Sequence, residues 1–220
     1  MKNLLMCAGF VLALVGHAGS VIAAPAYSWN LAKDLSAKGN STNPLPGGIW
    51  SLLYDSVGTT HNQANYRVLP LFSSTWYTYP DPLFNWTVEN STNILIGVTT
   101  RDGNFTGGGS EFQYKQGDAV VHPSTASAAI VKWTSPIAGK VTVSGVISDF
   151  DARCGNGIKW SLDKGNFILM SGVVLNGNNG ASFVQQNIPV SIGTPLYFVV
   201  NGNGNQDCDT SRLELLISSP

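Results

Sequence analysis

The sequence predicts an all-β chain: an antiparallel β-sandwich of jelly-roll type with a less regular, aromatic-rich N-terminal half. Three observations carry that expectation. Apolar residues alternate in KVTVSGVISDF (Val141, Val143, Ile147), TPLYFVV (Leu196, Phe198, Val200) and RLELLIS (Leu213, Leu215, Ile217), the period of strands with one buried face. Gly, Asn and Pro clusters, such as Asn176 to Gly180 and Asn201 to Asn205, punctuate the chain at the spacing of sandwich and jelly-roll turns. Charged residues are only 11% of the chain, against about 25% in an average globular protein, and Asn, Ser, Thr and Gly carry the polarity instead.

Taken in order, residues 1–23 read as a secretory signal peptide. Lys2 is followed by an apolar run from Leu4 to Val15 and by small residues around Ala18, Ala23 and Ala24, the charge, core and cleavage layout of such signals. That run falls short of the ~20 residues a spanning helix needs, and no later stretch reaches that length, so no transmembrane anchor is expected. Residues 24–110 are expected to form an irregular, partly β elaboration. Within it lie a turn or two of helix at Leu31 to Ala37, strands at 49–55, 64–72 and 92–99, and an ordered loop from Ser73 to Asn90. Residues 101–111, RDGNFTGGGSE, are expected to be a flexible connection. Residues 111–220 form the sandwich core, in one continuous domain 24–220, with further strands at 117–121, 127–134, 157–162, 166–175 and 182–190. Pro136 cannot donate to a ladder and Gly139 allows a tight reversal, so WTSPIAGK reads as strand, turn and strand, with Trp133 as a core anchor.

After removal of the signal, whose only charge is Lys2, 11 basic and 13 acidic residues leave a net charge of −2. That balance offers no electrostatic reason to bind nucleic acid or an anionic membrane. Two cysteines remain, Cys154 and Cys208, and an even count in an exported chain reads as a disulfide. The expected location is therefore secreted, either extracellular or periplasmic.

Such a bridge brings Asp149-x-Asp151 beside Asp207-x-Asp209, because bridged Cα atoms lie within about 7 Å. Three readings stay open. Asp149, Asp151, Asp207 and Asp209 could ligate a structural calcium ion, which takes six to eight oxygens, with Asn156, Asn203 and Asn205 near in sequence; the same residues could cap turns through their own backbone; or they could contact a ligand. For sugar binding the chemistry needs a flat aromatic face with amides and carboxylates around it. Trp76, Tyr77, Tyr79, Asp81, Asn85 and Trp86 supply those types in one segment, whose aromatics could equally fill the core. Only His61 and His122 follow the signal, and no nucleophile elbow, zinc-protease, phosphate-loop or dinucleotide signature is present, so no catalytic residue is assigned.

Two stretches resemble bacterial exported and surface proteins of the kind often sorted by a C-terminal Pro-Glu-Pro anchor. One runs from Tyr27 through Leu31 to Leu35, Asn43-Pro44 and Gly48-Ile49-Trp50-Ser51; the other joins His122-Pro123 to Val131-Lys132-Trp133-Thr134-Ser135-Pro136-Ile137-Ala138-Gly139. The anchor motif is absent at Ser219-Pro220, so release from the cell, or retention through a partner, is expected rather than covalent sorting. The resemblance implies a jelly roll like that of carbohydrate-binding modules and supplies no catalytic residues. The leading expectation is a secreted, non-catalytic module that recognises glycan at the cell surface or in the extracellular matrix. The alternatives are a structural matrix or envelope protein acting through protein contacts, and a polysaccharide hydrolase or lyase.

Overall fold

The structure, a computed structural model, describes residues 26–38, 48–58, 61–75, 82–88, 94–107, 109–177 and 180–220. Its elements in chain order are β1 (Ser28–Asn30), α1 (Leu31–Lys38), β2 (Trp50–Asp55), β3 (Tyr66–Val68), β4 (Leu71–Thr75), β5 (Pro82–Thr87), β6 (Leu95–Thr99), β7 (Gly103–Gly107), β8 (Ser110–Tyr114), β9 (Ala119–His122), β10 (Ala129–Thr134), β11 (Gly139–Asp149), β12 (Ile158–Lys164), β13 (Phe167–Val174), β14 (Ala181–Val190), β15 (Pro195–Gly202) and β16 (Ser211–Ser218). All described pairings are antiparallel. One sheet runs β14-β11-β16-β9-β6-β5-β4, with β1 also paired to β16, and the other runs β13-β12-β15-β10-β2-β3. The chain is thus an antiparallel β-sandwich, and strands from both halves of the sequence enter both sheets.

Alternation decides which side chains meet between the sheets. In β16, Leu213, Leu215 and Ile217 are buried while Glu214 and Leu216 face out. They join Val141, Val143 and Ile147 of β11 against Trp133, Trp160, Leu162 and Phe198 from the opposite sheet in one apolar core. The rings of Trp160 and Phe198 stack 5.6 Å apart. The expected anchoring role of Trp133 therefore holds. Helix α1 closes one end: Asn30 caps it by accepting the Lys33 N–H at 2.9 Å, and Leu31 and Leu35, one turn apart, enter the core. The Trp50 indole donates to Asp34 of that helix at 2.8 Å. Among the described residues no helix is long and apolar enough to cross a membrane.

Two local expectations are corrected. The segment from Ser73 to Asn90 contains a strand pair rather than a loop, since β4 and β5 pair from Leu71–Thr87 to Thr75–Pro82 around an irregularity near Ser73. Residues 101–111 are also ordered in part: β7 and β8 form a hairpin whose Phe105 and Phe112 pack on Leu83, Leu95 and Val120, on the outer face of the larger sheet. Glycine and threonine spacing hid both, because neither segment shows enough apolar alternation to announce a strand. The expected strand 64–72 is split at Leu69-Pro70, so that β3 joins the smaller sheet and β4 the larger.

Gly145 sits mid-strand in β11 where a Cβ would lie 1.8 Å from the Glu214 carbonyl oxygen and 2.7 Å from the Phe183 ring. Neither neighbour is free to withdraw, as one is backbone and the other is core. Gly145→Ala is expected to cost about 3 kcal/mol by overpacking, read as a lower denaturation midpoint; an unchanged midpoint would show that β11 and β16 are less closely apposed.

Candidate functional site

Two regions carry polar chemistry that the core does not explain. The first is the end of the sandwich where the loop after β11 meets the loop between β15 and β16. The Cys154–Cys208 disulfide joins them, with Cα atoms 5.4 Å apart. Asp149 is fully engaged, its two carboxylate oxygens accepting the Asp151 and Gly177 N–H groups at 2.9 Å each, and burial pushes its pKa up. Asp151 is buried; Oδ1 accepts from the Arg153 N–H and lies 3.6 Å from its guanidinium, whereas Oδ2 has no partner. Asp209 is 1% exposed and neither carboxylate oxygen has a hydrogen-bond partner. Burial, reinforced by the charges of Asp149 and Asp207, raises its pKa to about 7.

Of the four expected metal ligands, then, the fold gathers Asp149, Asp151 and Asp209 around the bridge but leaves the Asp207 side chain at the surface. What Asp207 turns inward is its carbonyl, which would be 2.1 Å from a Cβ on Gly155. Asn156 belongs to the same cluster: its amide nitrogen donates to the Asn203 carbonyl while its Oδ1 is buried without a partner. His122, at the end of β9, is buried nearby. Burial pulls its pKa down to about 4 against an opposing hydrogen bond with the Asp209 main chain, so the imidazole is neutral at pH 7.

The second region is the open outer face of the smaller sheet. Ile158, Trp160 and Leu162 of β12 turn inward, which leaves Lys159, Ser161 and Asp163 on the opposite face. The chain between β2 and β3 lays His61 across them in a left-handed backbone conformation, φ 49°. Its Nδ1 lies 2.8 Å from Asp163 Oδ2 and 3.4 Å from Ser161 Oγ. Because both approach the same ring nitrogen, that nitrogen cannot donate to the carboxylate and also take a proton from the hydroxyl. These three residues are not a serine-nucleophile relay, which needs the two partners on opposite nitrogens. The imidazole is 27% exposed and lines a groove of about 250 Å³ together with Lys159, Ser161, Ser171 and Asn201.

Past this wall a larger hollow of about 650 Å³ opens at the β12–β13 turn, between Gln63, Lys164, Asn166, Phe167 and Pro195. Phe167 is 79% exposed, the most exposed large apolar side chain among the described residues. Gln63 and Asn166 are held in place, the first accepting from the Tyr197 hydroxyl at 3.0 Å and the second accepting the Gln63 N–H at 3.0 Å. Each keeps its amide NH₂ for a ligand.

The sugar-contact residues expected from sequence fare differently. Trp86 is 1% exposed and packs on Phe72 within the core. Asn85 is 2% exposed, and its amide donates to the carbonyls of Ser73, Thr75 and Leu83. Neither can meet a ligand at the surface, because strand pairing turns one into the core and commits the other to the β4–β5 irregularity. Trp76, Tyr77, Tyr79 and Asp81 lie outside the described residues.

No known protein-family profile matches the chain, and no curated protein does. Solved structures give distant likenesses. A CBM51 module of a Clostridium perfringens family 95 glycoside hydrolase, in complex with methyl-galactose, is 12% identical over 55% of this chain and 81% of that one, with a TM-score of 0.37. A structure of CBM51-2 and INT domains of ZmpB, from the same organism, is 9% identical over 55% of this chain at a TM-score of 0.38, and the match spans about a quarter (26%) of that chain. A Stig cyclase from Fischerella sp. TAU, in complex with an indole compound, is 16% identical over 82% of this chain and 88% of that one, with a TM-score of 0.40. At these identities the functional reading rests on this chain's own residues.

Sequence reasoning missed the Phe167 hollow and the His61 groove. Phe167 had one local signal, an aromatic directly after the turn Lys164-Gly165-Asn166, which places it at a hairpin tip. His61 had none, since the residues it meets are about 100 positions away.

Proposed function

We propose that this chain is an exported, non-catalytic module that binds glycan on the outer face of its smaller sheet, at the hollow rimmed by Phe167. The observation that carries this reading is the exposed Phe167 ring beside the held amides of Gln63 and Asn166 and the ammonium of Lys164. A pyranose presents one apolar face and a ring of hydroxyls, and an aromatic platform flanked by fixed donors complements both. The adjoining groove, with His61, Lys159, Ser161 and Asn201, supplies further donors and acceptors for a second sugar unit. Export is supported by the disulfide, since such bridges persist in oxidising compartments.

The test is binding of the oxidised protein to a glycan array. Phe167→Ala is expected to weaken binding about tenfold, or roughly 1.4 kcal/mol, without lowering the denaturation midpoint, because the ring is exposed. Alanine variants of Trp76, Tyr77, Tyr79 and Asp81 on the same array measure whether that segment contributes. No glycan bound by the wild type, or equal binding by Phe167→Ala, would overturn the assignment of this site. Product analysis of any bound glycan tests the non-catalytic part, and turnover lost in His61→Ala would replace it with a lyase or hydrolase reading.

One observation favours a structural role as second reading. The edge strands β13 and β14 of the two sheets carry exposed Ile168, Val173 and Val184, and such edges invite strand addition by another chain. Sedimentation of the wild type decides it: a concentration-dependent oligomer that dissociates on Val173→Lys would support assembly through this edge.

A further inference from the structure

The geometry points to a divalent-cation site of calcium's kind at the disulfide-bridged end of the sandwich, with Asp209 as its central ligand. It is independent of the glycan reading, since it lies on loops that do not line the Phe167 hollow.

Asp209 supplies two carboxylate oxygens that are buried and without a hydrogen-bond partner. Two glycines lie close against that carboxylate and against neighbouring main-chain carbonyls. A Cβ on Gly155 would sit 3.3 Å from Asp209 Oδ1 and 2.1 Å from the Asp207 carbonyl; one on Gly202 would sit 3.0 Å from Asp209 Oδ2 and 1.9 Å from the Asn205 carbonyl. The Asp207 and Asn205 carbonyls thus pack directly on these glycines beside the Asp209 carboxylate, and any larger residue there would collide with them. The amide of Asn156 is oriented by donation to the Asn203 carbonyl, leaving its Oδ1 buried and unpartnered beside them.

Of the buried side-chain atoms left without partners at this end, five are oxygens, both from Asp209, Oδ2 of Asp151, and Oδ1 of Asn156 and Asn176, and two are nitrogens, Nδ1 of His122 and Nε of Arg212. Acceptors cannot satisfy one another, and leaving them buried and bare is costly. Arg153 is half-exposed, and among these carboxylates its guanidinium approaches Asp151 Oδ1, at 3.6 Å. The mixture of carboxylate, amide and carbonyl oxygens is the donor set of a hard cation that tolerates irregular geometry, which is calcium's habit rather than magnesium's. Both sulfurs are held in the disulfide, so no thiolate is offered to zinc. Asp207 takes part through its carbonyl, and its exposed carboxylate is dispensable.

The experiment is calorimetric titration of calcium chloride into the oxidised, chelator-treated protein, with thermal unfolding in calcium and in EDTA. Saturable binding is expected, together with a rise in Tm of roughly 5–10 °C at a hundredfold excess over Kd. Asp209→Asn should bind at least a hundredfold more weakly and lose the Tm rise, whereas Asp207→Asn and the surface control Asp102→Asn should keep both. Absence of any calcium effect on the wild type overturns the site, as does a calcium response that survives Asp209→Asn. Because no sugar is present, this result stands or falls apart from the glycan array.

Discussion

Replacing Trp86 by alanine is expected to lower the stability of this protein by about 4 kcal/mol, the cost of emptying a fully buried indole position. Trp86 is 1% exposed and wedged between Phe72 of β4, whose ring is 5.2 Å away, and the facing sheet. For a chain of this length the loss corresponds to a fall in Tm of roughly 8–16 °C. The measurement is a denaturation midpoint, set against the affinity of the still-folded variant for whatever glycan the wild type binds. Lower stability with unchanged affinity matches a core residue. An unchanged midpoint with lost affinity would return Trp86 to the ligand-contacting role that its sequence neighbourhood suggests.

Removing the disulfide should cost a similar amount. Cys154 and Cys208 are separated by 54 positions, and on chain-entropy grounds closing a loop of that length stabilises the native state by about 4 kcal/mol. The bridge holds together two loops whose own interactions are few. The main-chain links here include Asn203 to Gly157 and Phe150 to Thr210, both at the margins of the loops. Cys154→Ser with Cys208→Ser is therefore expected to lower the denaturation midpoint markedly and to weaken calcium binding with it, since Asp151 and Asp209 lie on the two loops that the bridge joins. A double variant as stable as the wild type would show that strand pairing of β11 with β16 alone holds this end closed.

Much of the architecture was legible because strand alternation is local. Leu213, Leu215 and Ile217 announce which face of β16 is buried, and the same holds for β11 and β15. β5 and the β7–β8 hairpin were not legible: GNFTG buries one aromatic, Phe105, and SEFQY two, Phe112 and Tyr114, too few to announce strands, and pairing across the hairpin makes them so. The acidic end was partly legible, since one cysteine pair allows one bridge. That Asp207 faces out while its carbonyl faces in depended on the backbone turn around Cys208, which has a positive φ of 56°.

The sequence by itself determined the all-β class, the disulfide pairing and the approach of the 149–151 and 207–209 acidic segments, because each follows from residue type and spacing along the chain. Only the tertiary structure decided which aromatics are available to a ligand. Trp86 and Phe167 both lie in strands beside polar residues, yet the facing sheet covers the first, and the second stands at a hairpin tip beyond the reach of that cover. Exposure is a property of what packs against a residue, and those partners are set by non-local strand pairing.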